Sequence, residues 1–157
     1  LIPAVQQRPT MTREFTDVDV SDSEIYRIQA DAHEIQPEAE TILGDEQVLF
    51  VFTGMRKSIL ADLDNGKLFV GCQYKWTDPK PDVDLTRFDA AENGVSRQHL
   101  LLERTRNGLA VTDLGSRNGT YINRRRLPPH KPVPLRNRSV VHVGKLAAQV
   151  MYKLRTR

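Results

Sequence analysis

Cysteine appears once in this 157-residue chain, at Cys72, which excludes an intrachain disulfide framework and a cysteine-rich zinc site and fits a reducing compartment. No apolar run comes near the roughly 18 residues of a membrane-spanning helix, and no basic-then-apolar leader is visible. We therefore expect a soluble, cytoplasmic protein with no membrane partner. His33, His130 and His142 are scattered without metal-ligand spacing, so we expect no metal and no other cofactor. Internal repeats and low-complexity tracts are also missing. Leu1 stands first in place of Met, from which we expect a piece of a longer chain or a natural start near Met11.

What is present is unevenly spread. Residues 1–45 hold three arginines against ten carboxylates, a balance of −7, whereas 46–157 hold twenty Lys and Arg against ten carboxylates, a balance of +10. A boundary near residue 45 follows. The basic part invites an anionic partner, whether nucleic acid, a phosphorylated protein or the chain's own acidic arm. Within the acidic part, residues 1–20 show no sustained periodicity and read as a flexible arm. Residues 21–45 read as an amphipathic helix and linker: Ser21 and Glu24 form a capping box, Ile25, Ile28, Ala32 and Ile35 recur at helical spacing, and Pro37 ends the element begun near Asp22. A lone helix of that length is marginal, so its isoleucine stripe must dock on the domain or on another chain, and a dimer through it is one outcome.

After Glu46 the pattern changes to short β-type runs, "VLFVF", "SILADL", "KLFVG", "HLLLER", "GLAVTDL", "TYIN", "SVVHVG" and "LAAQVMYKL". Four Asn-Gly dipeptides, at residues 65–66, 93–94, 107–108 and 118–119, punctuate them as tight turns. Many close-set strands without helical period mean an all-β sandwich or barrel over 46–157. The irregular segments "CQYKWTDPKPDVDLTRFDAAENGVS" and "NRRRLPPHKPVPLRN" are then loops, where binding residues are expected.

Two loop stretches stand out. In "NGVSRQHLLL", Ser96 and Arg97 sit at the mouth of a strand that His99 enters, and a hydroxyl beside a guanidinium can donate to one phosphate. In "DLGSRNGTYIN", Gly115 and Gly119 free the backbone while Ser116, Arg117 and Asn118 present donors. An Asn-Gly hairpin alone accounts for Asn118 and Gly119 but not for the preceding Gly-Ser-Arg.

Together, about twenty residues apart and on a many-stranded background, these motifs resemble the forkhead-associated (FHA) domain over about Val48 to Leu154. The resemblance implies a β-sandwich of about eleven strands, of the SMAD/FHA type, whose loops at one end bind a phosphothreonine in an extended peptide. By position, Ser96 is expected to hydrogen-bond the phosphate, Arg97 and Arg117 to flank it, and Asn118 to hold the peptide backbone. Gly71, His99 and Gly119 match positions that shape the loops. The implied role is a signalling or scaffold module for threonine-phosphorylated proteins, with a Ser/Thr kinase upstream. One residue departs from the pattern: Gly71 is followed by Cys72 where the family carries a phosphate-contacting arginine. Losing that forked, charge-assisted bond costs on the order of 1.5–3 kcal/mol, so we expect a weakened site, supported by Arg97, Arg117 and Lys75. The alternative is a phosphate-independent interaction or self-association module on the same fold.

Other readings fare worse. Ser96, His99 and Asp113 lack the Gly-x-Ser-x-Gly elbow of a hydrolase, and a serine and histidine three apart entering a strand lie on opposite faces, so we expect no enzyme. The run "NRRRLPPHKPVPLRNR" lacks interleaved aromatics and reads as a solvated basic loop, which argues against nucleic acid. The acidic arm offers its own candidate ligand: Thr16 in "TREFTDVDVSD" has Asp19 at +3, a preference known in part of the FHA family, and tethering would raise its effective concentration at the site.

Overall fold

The structure, a computed structural model of the chain, describes residues 13–15, 43–55 and 57–153. The helix expected from Asp22 to Ile35 and the candidate phosphosite Thr16 lie outside the described residues.

Two antiparallel-dominated sheets face each other. One is built from β1 (Arg13–Phe15), β2 (Gln47–Phe52), β3 (Lys57–Asp62), β8 (Thr120–Ile122), β9 (Arg125–Arg126), β11 (Val140–Val143) and β12 (Leu146–Tyr152), in the order β1-β3-β2-β12-β11-β8-β9. The other holds β4 (Lys67–Gly71), β5 (Val83–Asp84), β6 (Leu100–Thr105), β7 (Gly108–Asp113) and β10 (Val133–Leu135), in the order β10-β7-β6-β4-β5. From residue 47 onward this is the eleven-strand, all-β sandwich that the sequence pattern implies. β1 adds a twelfth strand: Arg13–Phe15, within the segment read as an arm, pair antiparallel with Ser58–Leu60 on the open edge of β3.

Period-two alternation explains the core. Val48, Phe50 and Phe52 of β2, Ile59 and Ala61 of β3, and Leu146, Ala148, Val150 and Tyr152 of β12 turn inward against Leu68, Val70, Leu100, Leu102, Leu109 and Val111 of the facing sheet. The Phe52 and Phe88 rings stack with centroids 4.4 Å apart, a pairing worth about 0.5–1.5 kcal/mol beyond its buried area. Tyr152 spans the core, and its hydroxyl donates to the Leu135 carbonyl at 2.6 Å, so its one polar atom stays satisfied.

The segments read as unbroken loops contain short strands. β5 joins β4 in parallel through only two residues, too few to leave a periodic signature. β10 contains Pro134, which reads as a strand breaker but is tolerated because β10 is an edge that pairs only with β7. The turn from β8 to β9 is made by Asn123 and Arg124, both at positive φ (46° and 70°), with no glycine to announce it. Two of the four Asn-Gly pairs are not hairpins at all: Asn93-Gly94 and Asn118-Gly119 lie in long connections at one end of the sandwich and touch each other. Among the described residues no helix is long and apolar enough to cross a membrane.

Candidate functional site

Three connections meet at that end: residues 72–82 between β4 and β5, residues 89–99 after the 3-10 turn Thr86–Phe88, and residues 114–119 between β7 and β8. They are tied together by backbone. The Cys72 N–H donates to the carbonyls of both Ser96 and Arg97, at 3.1 and 3.2 Å. That approach is possible only because residue 71 is glycine: a Cβ there would lie 1.9 Å from the Arg97 carbonyl oxygen. The role expected of Gly71 as a loop-shaping residue has this physical content.

The third connection is organised by Asp113. Its carboxylate accepts from the Ser116 and Thr120 hydroxyls at 2.5 and 2.7 Å and from the Gly115 and Ser116 amides at 3.1 and 3.2 Å. Burial alone would raise this carboxyl, but the hydrogen bonds from Ser116 and Thr120 outweigh it and hold the group below its ordinary range. His99, fully buried, joins the second and third connections. Gly119 offers only a carbonyl, 2.9 Å from Nε2, so Nε2 carries the proton and Nδ1 accepts the Ser96 N–H at 3.0 Å. Desolvation keeps the imidazole neutral by lowering its pKa.

On this frame sit the polar residues singled out in the sequence. Ser96 Oγ accepts the backbone N–H of Arg117 at 3.0 Å, which leaves its hydroxyl hydrogen to point at a further acceptor. Arg97 and Arg117 are both exposed beside it. Asn118 Nδ2 donates to the Gly94 carbonyl at 2.8 Å, closing the loop rim; Gly94 has φ of 75°, and a Cβ on it would strike that amide at 2.4 Å. Ser96, Arg97, Arg117 and Asn118 thus lie on one rim, with a hydroxyl between two guanidinium-bearing residues. The arrangement can receive a compact dianion with several acceptor oxygens.

Three neighbours lie outside the residues that the two loop motifs pick out. Asp78 accepts from Arg97 Nη1 at 3.2 Å and from the Lys75 amide at 2.8 Å; that amide, then the guanidinium, draw its carboxyl below the usual range. Arg97 is therefore already paired. The Tyr74 hydroxyl donates to the Val95 carbonyl, bracing the connection that carries Ser96, and burial pushes its pKa up. The Arg126 guanidinium lies against Gly119, where a Cβ would come within 2.8 Å of Nε. Only loop closure brings these groups to the rim.

Cys72 points inward. It is 1% exposed, belongs to the core, and its sulfur lies 3.6 Å from the Thr86 hydroxyl. Burial raises the thiol's pKa, so it is not an activated nucleophile. Nor do Ser96, His99 and Asp113 form a proton relay. The bond from Ser96 to His99 comes from the backbone amide, the other ring nitrogen faces Gly119, and the Asp113 oxygens are bound by Ser116 and Thr120.

The architecture is a two-sheet all-β sandwich with a polar rim on three loops at one end. The FHA domain profile matches residues 69–144, the stretch from β4 through the turn after β11, and the sandwich of this chain is similar to an FHA domain over that stretch. Solved FHA domains share its fold. One from Arabidopsis thaliana aligns with a TM-score of 0.54 at 23% identity, over 71% of this chain and 90% of its own. One from Chlamydia trachomatis aligns at 0.51 and 22% identity, over 67% and 96%. A third, from a structural and functional analysis of phosphothreonine-dependent FHA interactions, aligns at 0.50 and 22% identity, over 67% and 95%. No match was found among curated proteins.

Proposed function

We propose that this FHA-like sandwich binds threonine-phosphorylated peptides on the rim of Ser96, Arg97, Arg117 and Asn118, as a protein-interaction module downstream of a Ser/Thr kinase. The carrying observation is the 3.0 Å bond from the Arg117 amide to Ser96 Oγ, which sets one hydroxyl between two guanidinium-bearing residues. The phosphothreonine dependence described for one of the similar FHA domains supports the same reading. Ser96 donates to the phosphate, the two arginines neutralise it, and Asn118, held to Gly94, presents its remaining amide atoms to the peptide backbone. Affinity is lowered because position 72 turns a buried thiol into the core where the family has an arginine, and because Arg97 must share its charge with Asp78.

The ligand comes from a partner protein or from the chain's own Thr16. The second source has a geometric condition. Phe15 pairs with Ser58 on the edge of the seven-stranded sheet, about four to five strands, or roughly 20 Å, from the rim. Thr16 follows directly, so capture within one molecule requires β1 to leave β3, whereas capture by a second copy does not. A phosphate-independent module remains the competing reading, favoured by the buried Cys72 and the Arg97–Asp78 pair.

Calorimetric titration separates these. A phosphothreonine peptide with Asp at +3 is expected to bind, with its unphosphorylated and phosphoserine twins at least about tenfold weaker and Ser96→Ala abolishing the difference. Absence of phosphate selectivity in the native chain, with recovery in Cys72→Arg, would establish the competing reading.

A further inference from the structure

We propose that Trp76 and Tyr74 form an aromatic shelf beside the rim, which takes a large apolar side chain of the same phosphopeptide. The inference deepens the reading of the rim given above and rests on it. Among the described residues these are the two large hydrophobic side chains that stay exposed, Trp76 at 90% and Tyr74 at 48%. Apolar residues scattered singly over a surface are ordinary. Here both fall on one connection, residues 72–82, and that connection is the one whose first amide, at Cys72, is bonded to the Ser96 and Arg97 carbonyls. The exposed aromatic surface is thus gathered where the ligand is expected.

The connection also holds the two rings in place. Lys75, Trp76, Thr77 and Asp78 make a β-turn closed from both ends: the Asp78 N–H donates to the Lys75 carbonyl at 2.9 Å, and the Lys75 N–H donates to Asp78 Oδ2 at 2.8 Å. Trp76 is the first central residue of that turn and stands at its tip. Gln73 Nε2 braces the turn by donating to the Asp78 carbonyl at 3.0 Å, and Pro79, with its fixed φ, stiffens the chain that leaves it. Asp78 also accepts from Arg97 Nη1 at 3.2 Å, which seats the tip against a rim residue. The Tyr74 hydroxyl, donating to the Val95 carbonyl, anchors its ring one residue before Ser96. Aromatic side chains on an ordered turn give up little freedom on binding, and Trp and Tyr are the types that carry most contact energy in interfaces. Charge selects the occupant. The exposed charges at the turn, Lys75 and Arg97, are both cationic, and its one carboxylate, Asp78, is only 7% exposed and already bonded to Arg97 and the Lys75 amide. A cationic peptide residue, which an indole face attracts elsewhere, meets like charge here, so the shelf suits an aromatic or large aliphatic side chain.

The test uses the full chain, whose sole tryptophan is Trp76, so that its emission reports on the shelf alone. A phosphothreonine peptide with Asp at +3 and alanine elsewhere is compared, by calorimetry and by emission, with versions in which one phenylalanine is walked through the neighbouring positions. At one of them phenylalanine should tighten binding about tenfold and move the emission to shorter wavelength. The gain should vanish in Trp76→Ala and persist in part in Trp76→Phe, which keeps a ring. Phosphate-dependent binding without a gain from phenylalanine at any position, or with a gain that survives Trp76→Ala, would overturn the shelf and leave the rim standing. A larger gain from lysine than from phenylalanine at the same position would overturn the choice of occupant. Equal binding of the phosphorylated and unphosphorylated forms of every peptide would overturn the reading of the rim, and with it the shelf as part of a phosphopeptide site.

Discussion

The hydroxyl of Ser96 accepts the backbone N–H of Arg117 across 3.0 Å, joining two connections whose residues lie 21 apart in the sequence. One side chain therefore holds the rim closed and, in the proposed function, also turns its own proton to the phosphate. Ser96→Ala removes both. Phosphopeptide affinity should fall about tenfold or more, near 1.4 kcal/mol, while the melting temperature moves little. Calorimetry reads the first, and a shifted Arg117 amide resonance reads the lost tie. Ser96→Thr, which keeps a hydroxyl, should lose less than Ser96→Ala; equal losses would separate Ser96 from the binding function.

If Arg97 takes the phosphate as proposed, Asp78 competes with the ligand for it. Asp78→Asn keeps a side-chain acceptor for the Lys75 amide but removes the negative charge. The pair is solvent-screened, so the expected gain in phosphopeptide affinity is modest, about two- to fivefold, and it should shrink as salt is raised. A titration series at two ionic strengths checks it. Weaker binding in Asp78→Asn would mean that Asp78 serves the site by ordering its loop.

Acid should loosen the rim in two separate windows. His99 has a pKa depressed below its ordinary 6.5, chiefly by desolvation, so the unfolded chain takes up a proton that the folded one refuses. Its contribution is complete above pH 6.5 and declines as the pH falls below that value toward the folded pKa. Protonation would also cost Nδ1 its role as acceptor for the Ser96 amide. Asp113 is depressed below its ordinary 3.8 and contributes above that pH, with the loss starting only under more acid conditions. Urea unfolding from pH 7.5 to 3 should show both steps. Imidazole nitrogen shifts should show a proton on Nε2 of His99 throughout the neutral range, and titration of His99 at or above 6.5 would contradict this account.

Positions 71 and 72 set the limits of repair. Gly71→Ala places a methyl 1.9 Å from a backbone oxygen that cannot retreat without breaking the Cys72 amide bonds, so a loss of about 3 kcal/mol or more is expected in denaturant melts. Cys72→Arg must lead a guanidinium out of a site that is 1% exposed, past Thr86. We expect about 1–3 kcal/mol lower stability together with tighter phosphopeptide binding, a trade that unfolding and calorimetry would read on one sample. Unchanged stability would show that the position opens readily to the surface.

Much of the fold was legible because it is local. The inward row of Val48, Phe50 and Phe52 repeats every second residue, and a period-two apolar pattern can bury itself only as a strand. β5, β9 and β10 were not legible: they have two or three residues each, and β9 follows a turn in which Asn123 is succeeded by Arg124 at positive φ, where a glycine would be expected. What those short strands share is that a neighbouring strand, and no pattern of their own, holds them in place.

The same division runs through the site. Which residues carry donors and charge, and where the glycines around Ser96 and Arg117 let the backbone turn, can be read along the chain, since those are properties of residue types at short range. The sequence also contained the departure at Cys72. The tertiary structure alone decided that Cys72 faces the core, that Arg97 is engaged by Asp78, that Asn118 spends one amide bond on Gly94, and that Arg126 lies on Gly119. Each of these is a contact between loops from different parts of the chain. Their geometry follows from the two sheets that hold the loop ends together, and spacing along the sequence carries no record of it.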